Sequence, residues 1–471
     1  MSIDTARRWL LPALSVLLVA LWLGGGVTQD STSMDEWLQL LALPVLWLSV
    51  RVLLAEFPTD RLSRCGIALA VAIVLLLALQ LLPLPESVWN LPAARGALAQ
   101  DVQQAGVDTL RRHWSLAPAA TEQGLWALLP ALACFFAALA LDKPQRRRVL
   151  QVVIALAAFN VLFAFFQAGL PLDSELRLYD FDAGFGGLLA NTNHQATACI
   201  IGMVLATGLG GEARFRAQRE QAHLHAAWGY FLLAGVFLLA TPLSTSRAGM
   251  AIALPALALA LVLTGVVPLR RMKRNKAALG VAAGIVLMVA LGMQAALGWM
   301  AIDLAEEQRH VFAEITFQLG LAHAPLGSGV GSFVPLFAAA SPLQMQEAYY
   351  VNHAHNEYVQ WWLETGWLGM LLLAGVLCVQ AVACKRLLAQ RGRGSQAILA
   401  ASAWVAIAAV LAHSWADYPL RTLSLMSTTA ALAGVMLAAL VDIGQRRRMR
   451  ADALEQEAPI PLPTERSAGQ M

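Results

Sequence analysis

Residues 66–84 read GIALAVAIVLLLALQLLPL. Gln80 is the one strongly polar side chain in the run, and no charge interrupts it. Such a stretch matches the roughly 20 apolar residues a helix needs to cross the ~30 Å hydrocarbon layer of a bilayer. Runs of the same kind occur at Trp9–Val27, Trp37–Ala55, Gln123–Leu141, Val149–Leu170, Gln195–Gly210, Trp228–Leu243, Ala248–Val267, Ala277–Trp299, Gly366–Cys384, Ala397–Trp415 and Thr422–Asp442. Those beginning at Gln195 and Trp228 are the shortest. The composition agrees: 58% of the chain is hydrophobic and 13% charged, with a mean hydropathy of +0.60. An ordinary soluble domain carries about a quarter charged residues. One large soluble core is therefore excluded. The expected fold class is all-α, a polytopic membrane protein of about twelve transmembrane helices.

The basic residues give an independent orientation. With the N-terminus inside, the internal loops hold Arg146–Arg148, Arg214, Arg216, Arg219, residues 270–276, residues 385–393 and Arg446–Arg450. Only seven of the 33 Lys and Arg then fall outside, which is the positive-inside pattern and puts both termini in the cytoplasm. The first run lacks a small-residue cleavage site, so it reads as a retained helix. The expected organisation is a membrane domain over 1–442, a large external loop at 300–365 within it, and a disordered tail over 443–471. That tail is basic and then Pro-rich. Five cysteines without paired spacing predict neither a disulfide nor a zinc cluster.

The seven external cations, Arg95, Arg111, Arg112, Arg177, Arg247, Arg309 and Arg421, are all arginine. A guanidinium keeps its charge and grips phosphate oxygens with a bidentate fork. Arg247, in Ser244-Thr245-Ser246-Arg247, sits in a short connection where a lipid diphosphate headgroup would lie; the alternative is a snorkelling turn arginine. Arg309 follows Glu306-Glu307-Gln308 in a helix-like stretch of the large loop, either as a phosphate ligand or paired with those glutamates. The densest polar cluster is Asn352-His353-Ala354-His355-Asn356-Glu357-Tyr358, which runs into the tenth hydrophobic run through Trp361, Trp362 and Glu364. Such residues at a lipid boundary are costly unless they face protein or a wet cavity. In helical register His353 and Glu357 share a face, as do His355, Tyr358 and Trp362. A neutral imidazole there can take a proton from a sugar hydroxyl; the bland reading is an aromatic belt. Asn191-Thr192-Asn193-His194 opens the sixth run and can serve as a helix cap. Asp180-Phe181-Asp182 is a carboxylate pair of the kind a metal-dependent glycosyltransferase uses, although such pairs are common by chance. His413, Asp417 and Arg421 surround the last external turn, as cavity-lining residues or ordinary boundary polars.

The pair His355-Asn356, followed after nine residues by Gly366-x-x-Gly369, resembles the signature of the O-antigen ligase superfamily. That group comprises ligases joining O-antigen to lipopolysaccharide core, Wzy-type polymerases and bacterial protein O-oligosaccharyltransferases. Residues 115–121, Asn191–His194, Ser246-Arg247, Pro325-Leu326-Gly327-x-Gly329, His413-Ser414 and Asp417-Tyr418-Pro419 have counterparts in the same order. The resemblance spans most of the membrane region and is strongest over residues 190–375. It implies a GT-C-like helical fold and metal-independent, inverting transfer from an undecaprenyl-diphosphate-linked glycan at the periplasmic face of a bacterial inner membrane. It makes His355 the base and Arg247 and Arg309 the diphosphate grip. Asn356, Tyr358, His353, Asn193, His194 and Arg421 are then expected around the substrates. No cofactor, metal or nucleic acid is implied, and the partners are membrane lipid, the lipid-linked donor and an acceptor.

The acceptor is lipid A core, a growing glycan or a protein; a short cytoplasmic tail in place of an added periplasmic domain weighs against protein. A secondary transporter of the bicarbonate type is the competing class. Transporters place charges or broken helices near the midplane, whereas these runs are nearly charge-free and their polar residues gather at one face. A glycan-assembly scaffold without turnover is a third reading.

Overall fold

The computed structural model describes residues 1–28, 33–106, 111–179, 181, 184–267, 304–342, 351–390 and 394–456. Asp180, Asp182 and the ninth hydrophobic run lie outside these residues. The other eleven runs each fall on a helix. Ten are long and apolar enough to cross a membrane, and the eleventh is shorter. In chain order the helices are α1 (Ile3–Gly24), α2 (Ser33–Ala55), α3 (Arg61–Gln80), α4 (Glu86–Trp89), α5 (Ala93–Gln104), α6 (Pro118–Ala140), α7 (Lys143–Ala168), α8 (Thr192–Glu220), α9 (His225–Ala240) and α10 (Arg247–Leu263). After them come α11 (Leu304–His323), α12 (Phe333–Ala340), α13 (Glu357–Gln390), α14 (Ser395–His413) and α15 (Leu423–Gln456). Among the described residues there is no strand beyond an isolated bridge between Pro83 and His113. In lipid only a helix satisfies its own backbone, which is why the chain folds this way.

Helix α8 is the inner post of the bundle. Its membrane window is 94% buried, against 17% for α13. Small residues allow this, because lipid tails give no hydrophobic drive and helices associate by close packing. A Cβ at Gly202 would strike the Phe237 ring, one at Gly208 the Ser402 side chain and one at Gly210 the Phe231 ring. Helices α7, α9, α10 and α14 therefore close around α8, while α15 packs on α6 and α14. The structure corrects the sixth run, which hydropathy made one of the shortest: α8 has 29 residues. Polar His194, Gln195, Thr207 and Glu212 depress the hydropathy near its ends, yet all four are buried against protein, not lipid.

At the end of the bundle carrying the basic loops, charges are paired. Arg147 Nε stands 3.0 Å from Glu212 Oε2, and Arg386 Nη1 is 3.0 Å from Asp60 Oδ1. Arg146 Nη1 donates to Asp442 Oδ2 at 2.5 Å. Helix α15 runs on to Gln456, and 457–471 lie outside the described residues.

At the opposite end, the segment 300–365 carries α11 and α12, packed against each other, with α11 also lying on α13. Beside them the turn after α11 is fixed from several directions. Trp367 N donates to Pro325 O at 3.0 Å, and Ser328 N and Gly329 N donate to Leu363 O and Glu364 O at 2.9 Å each. Gln80, the polar residue of the opening run, donates from Nε2 to Glu364 O at 3.0 Å and accepts from Val330 N at 3.0 Å. Arg95 is fully buried and donates to Trp114 O at 2.6 Å and Gly327 O at 2.8 Å. This turn docks where α13 breaks: Gly366 has φ 57° and ψ −150°, a conformation open to glycine alone. A Cβ there would also meet the Pro325 carbonyl and the Gly327 amide. Gly366→Ala is expected to destabilise the protein by about 1–3 kcal/mol, read as a lowered Tm in detergent, while Gly235→Ala, in open space on α9, leaves the Tm unchanged.

Candidate functional site

The site is built where the ends of α8, α13, α14 and α15 meet. Asn191 caps α8, its side chain accepting from Asn193 N at 2.8 Å, and so fixes the first turn that carries Asn193 and His194. Residues 351–356 are extended or turning, and α13 begins only at Glu357. The helical register expected across His353–Trp362 is thus corrected. Asn356 ends it: its Oδ1 accepts from Tyr358 N at 3.1 Å and Val359 N at 3.2 Å, as an N-terminal cap does. His355 has φ 51°, a left-handed conformation that an L-residue holds only when its surroundings impose it. The segment is tied down by Ala354 N donating to Gln360 Oε1 at 3.1 Å and by Glu357 N donating to Ser414 O at 2.9 Å.

Asp417, in the turn between α14 and α15, is the centre of the cluster. It is fully buried. Its Oδ1 lies 3.7 Å from His355 Nδ1 and 4.0 Å from His194 Nε2. His413, the last residue of α14, is buried beside it, with Nδ1 at 2.7 Å from Thr197 Oγ1. Burial by itself would raise the Asp417 carboxyl; contact with His355 and the charges of His194, His355 and His413 hold it well below the usual carboxylate range. The Tyr418 ring packs at 4.4 Å from His353, 4.9 Å from His355 and 5.1 Å from His194. Burial and the Asp417 charge push its hydroxyl up to about 12.

A second polar layer lies next to the first. Glu364 is fully buried and accepts from Arg421 Nη2 at 2.9 Å, Gln360 Nε2 at 3.1 Å and Gly331 N at 3.2 Å. Glu357 Oε1 accepts from Leu420 N at 2.7 Å. Arg421 therefore reaches the site already bound to a carboxylate. His353, Glu357, Glu364 and Arg421 line a cavity of about 600 Å³ that continues along Leu77, Leu128 and Leu372.

Of the residues singled out by sequence, His353, His355, His194 and Arg421 are brought together. Asn193 lies in the same first turn of α8. Arg309 sits one turn before Phe312, whose ring is 6.4 Å from that of His355, and its charge acts on His413 and Tyr418. Arg247 opens α10, capped by Ser246 through Gly249 N at 3.1 Å. Gly249 abuts Ala196 of α8, so Arg247 stands at the same end of the bundle as His194. Tyr358 donates its hydroxyl to Leu411 O at 2.6 Å; this bond and the Asn356 cap hold helices. By sequence Asp417 stands as a cavity-lining residue or an ordinary boundary polar, and Tyr418 only as its neighbour. The available signal was a carboxylate in a short turn between two apolar runs, as costly there as Arg247 in its own turn.

These features define a multi-pass helical membrane protein with a buried histidine–carboxylate cluster at one end of its bundle. Residues 229–374 match the family model described as O-Antigen ligase, which supports membership of the O-antigen ligase superfamily. The family suggests a membrane enzyme of glycosyl transfer, with a lipid-linked glycan as donor and a glycan or lipid as acceptor. No curated protein matches the chain. The matched region includes Arg247, Arg309, His355 and Glu364; Asp417, Tyr418, Arg421 and His194 join it only through folding.

Burial, with the charges of Arg421 and His355, holds His353 well below the ordinary histidine value, and its hydrogen bond with Gln360 only partly offsets this. The unfolded chain therefore binds a proton below about pH 6.5 that the folded site refuses, so this contribution to stability is full above that value and declines as pH falls. The Tm is expected to be lower at about pH 5.5 than at about pH 7.5, and His353→Gln to flatten that difference. An unchanged slope in the variant would show that His353 does not stay neutral.

Proposed function

We propose that the protein transfers a glycan from undecaprenyl diphosphate to an acceptor hydroxyl at the periplasmic face of a bacterial inner membrane, without a metal. The observation that carries this reading is His355 Nδ1 at 3.7 Å from the buried Asp417 carboxylate, with His355 inside the stretch 229–374 that matches the O-antigen ligase family model. A carboxylate on one ring nitrogen fixes the imidazole's orientation and stabilises the imidazolium formed when the other nitrogen accepts a proton. His355 Nε2 takes the proton of the acceptor hydroxyl as its oxygen bonds to the anomeric carbon. The bond from that carbon to the diphosphate oxygen breaks on the opposite face, inverting the centre. The leaving diphosphate carries off the electron pair, and Arg247 and Arg309 hold its charge. Preorganisation accounts for the left-handed backbone at His355: the position of the ring outweighs a local cost of about 1–3 kcal/mol. Asp417 acts through His355 and is a positioning residue.

The acceptor is a lipid core or a growing glycan in this reading; a protein acceptor is the alternative within the family. Transport is disfavoured by the placement of the titratable cluster at a bundle end, away from the midplane.

The test incubates purified protein with lipid-linked glycan and candidate acceptors, with and without chelator. Product is expected to form in both cases and to disappear in His355→Ala and Arg247→Ala. Loss on chelation with both variants active would move the chemistry to Asp180 and Asp182. Asp417→Asn is expected to lower kcat by about 10²-fold with little change in KM, since it removes orientation and charge support for the base and not a substrate contact.

A further inference from the structure

The start of α8 meets the segment that carries Asp417 through side chains at i, i+3 and i+6. Asn191 Nδ2 donates to the Tyr418 hydroxyl at 3.3 Å. His194 Nε2 lies 4.0 Å from Asp417 Oδ1. Thr197 Oγ1 is 2.7 Å from His413 Nδ1. Residues at this spacing share one face of a helix, so one face of α8 braces the turn after α14.

His194 is the member of this face whose polar atoms are left open. It has no exposed surface, and neither ring nitrogen has a hydrogen bond among the described residues, a costly state for a buried polar group. The Asp417 oxygen it faces is the one that His355 Nδ1 approaches at 3.7 Å and that accepts from Tyr418 N at 2.8 Å. The other oxygen, Oδ2, has no hydrogen bond among the described residues. His413 is already committed. Thr197 Oγ1 gives its proton to Asn193 O at 3.2 Å and so accepts from His413 Nδ1, and a neutral imidazole has no second N–H for Asp417. The His194 ring also lies beside the Tyr418 backbone and meets the Tyr418 ring edge-on at 5.1 Å.

We propose that His194 is a positioning residue that acts on His355 through the carboxylate the two imidazoles share. An N–H on His194 Nε2 directed at Asp417 Oδ1 restrains the carboxylate, and the carboxylate restrains the base. For its effect on turnover this rests on the transferase reading above. Being fully buried, His194 touches neither substrate, whereas the His355 side chain keeps 19% exposure. The place expected for His194 beside the substrates gives way to a role exerted through Asp417.

The test compares His194→Leu, His194→Gln and His194→Asn in the full-length protein in detergent. Leucine keeps the bulk without a donor. Glutamine brings an amide N–H close to the place of Nε2, and asparagine carries the same amide one bond short of it. In glycan transfer, Leu and Asn are expected to lower kcat about tenfold with KM unchanged, the loss of one hydrogen bond to a charged group. Gln should stay within about threefold of the wild type. Beside Asp417→Asn, His194→Leu is expected to lower kcat no further, because the group through which it acts is gone. A second readout needs no substrate: the rate at which diethyl pyrocarbonate modifies His355 at one fixed pH, followed by peptide mass spectrometry. That attack uses the lone pair on Nε2, which Asp417 secures by holding the proton on Nδ1. The rates should therefore rank wild type and Gln above Leu and Asn.

Equal losses in Gln and Leu, a change carried by KM, or a further loss from His194→Leu beside Asp417→Asn would each overturn the proposal. So would modification of His355 at the wild-type rate in both Leu and Asn. If the Leu variant does not fold, the comparison of Gln with Asn decides, since those two differ in length and not in polarity. The two readings fail separately. Absence of transfer by the wild type, with modification in the expected ranking, refutes the transferase alone. Transfer that requires His355 yet keeps its full kcat in Leu and Asn refutes the positioning role alone.

Discussion

A carboxylate without access to water has to be compensated by what surrounds it, at a cost of several kcal/mol if it is not. Asp417 is such a group: its Oδ1 accepts from Tyr418 N at 2.8 Å, and the imidazoles of His194 on α8, His355 before α13 and His413 at the end of α14 gather around it. Burial of the turn after α14 brings those pieces of chain to one place. The electrostatic requirement of one side chain thereby fixes the relative placement of the helix ends that carry the site. Tyr418 adds to it by filling the space between His194, His353 and His355 with one ring.

The second fixed point is the interrupted helix. Where α13 breaks at Gly366, the turn at 325–331 enters and satisfies carbonyls that the break leaves open, those of Leu363 and Glu364. Gln80 and Arg95 close the same turn from the other side. The cluster and the turn are linked through Glu364, which receives Arg421 from one and Gly331 from the other. A half-satisfied buried network is costly, so this one holds as a unit, and the cavity beside it inherits a rigid polar rim.

Arg247 and Arg309 stand on α10 and α11, outside the lining of the cavity that holds Glu357, Glu364 and Arg421. Helix α8 makes the arrangement possible, since its small residues let α9, α10 and α14 come close enough for their ends to share one space.

Hydropathy determined the helical class and eleven of the described helix positions. Those properties depend on runs of neighbouring residues, and a bilayer imposes them locally. The sequence also marked His355, because a cluster of polar groups beside an apolar run is anomalous wherever it folds. Long-range partnership was a different matter. Nothing in the spacing of His355 and Asp417, or of Gln80 and Glu364, shows that they meet, since side chains far apart in sequence become neighbours only when helices pack. The true start of α13 was hidden too, because Asn356 caps it through its own side chain and breaks a register that composition alone continues. The tertiary structure decided these points, through the need of each buried charge and each open backbone group to find a partner away from water.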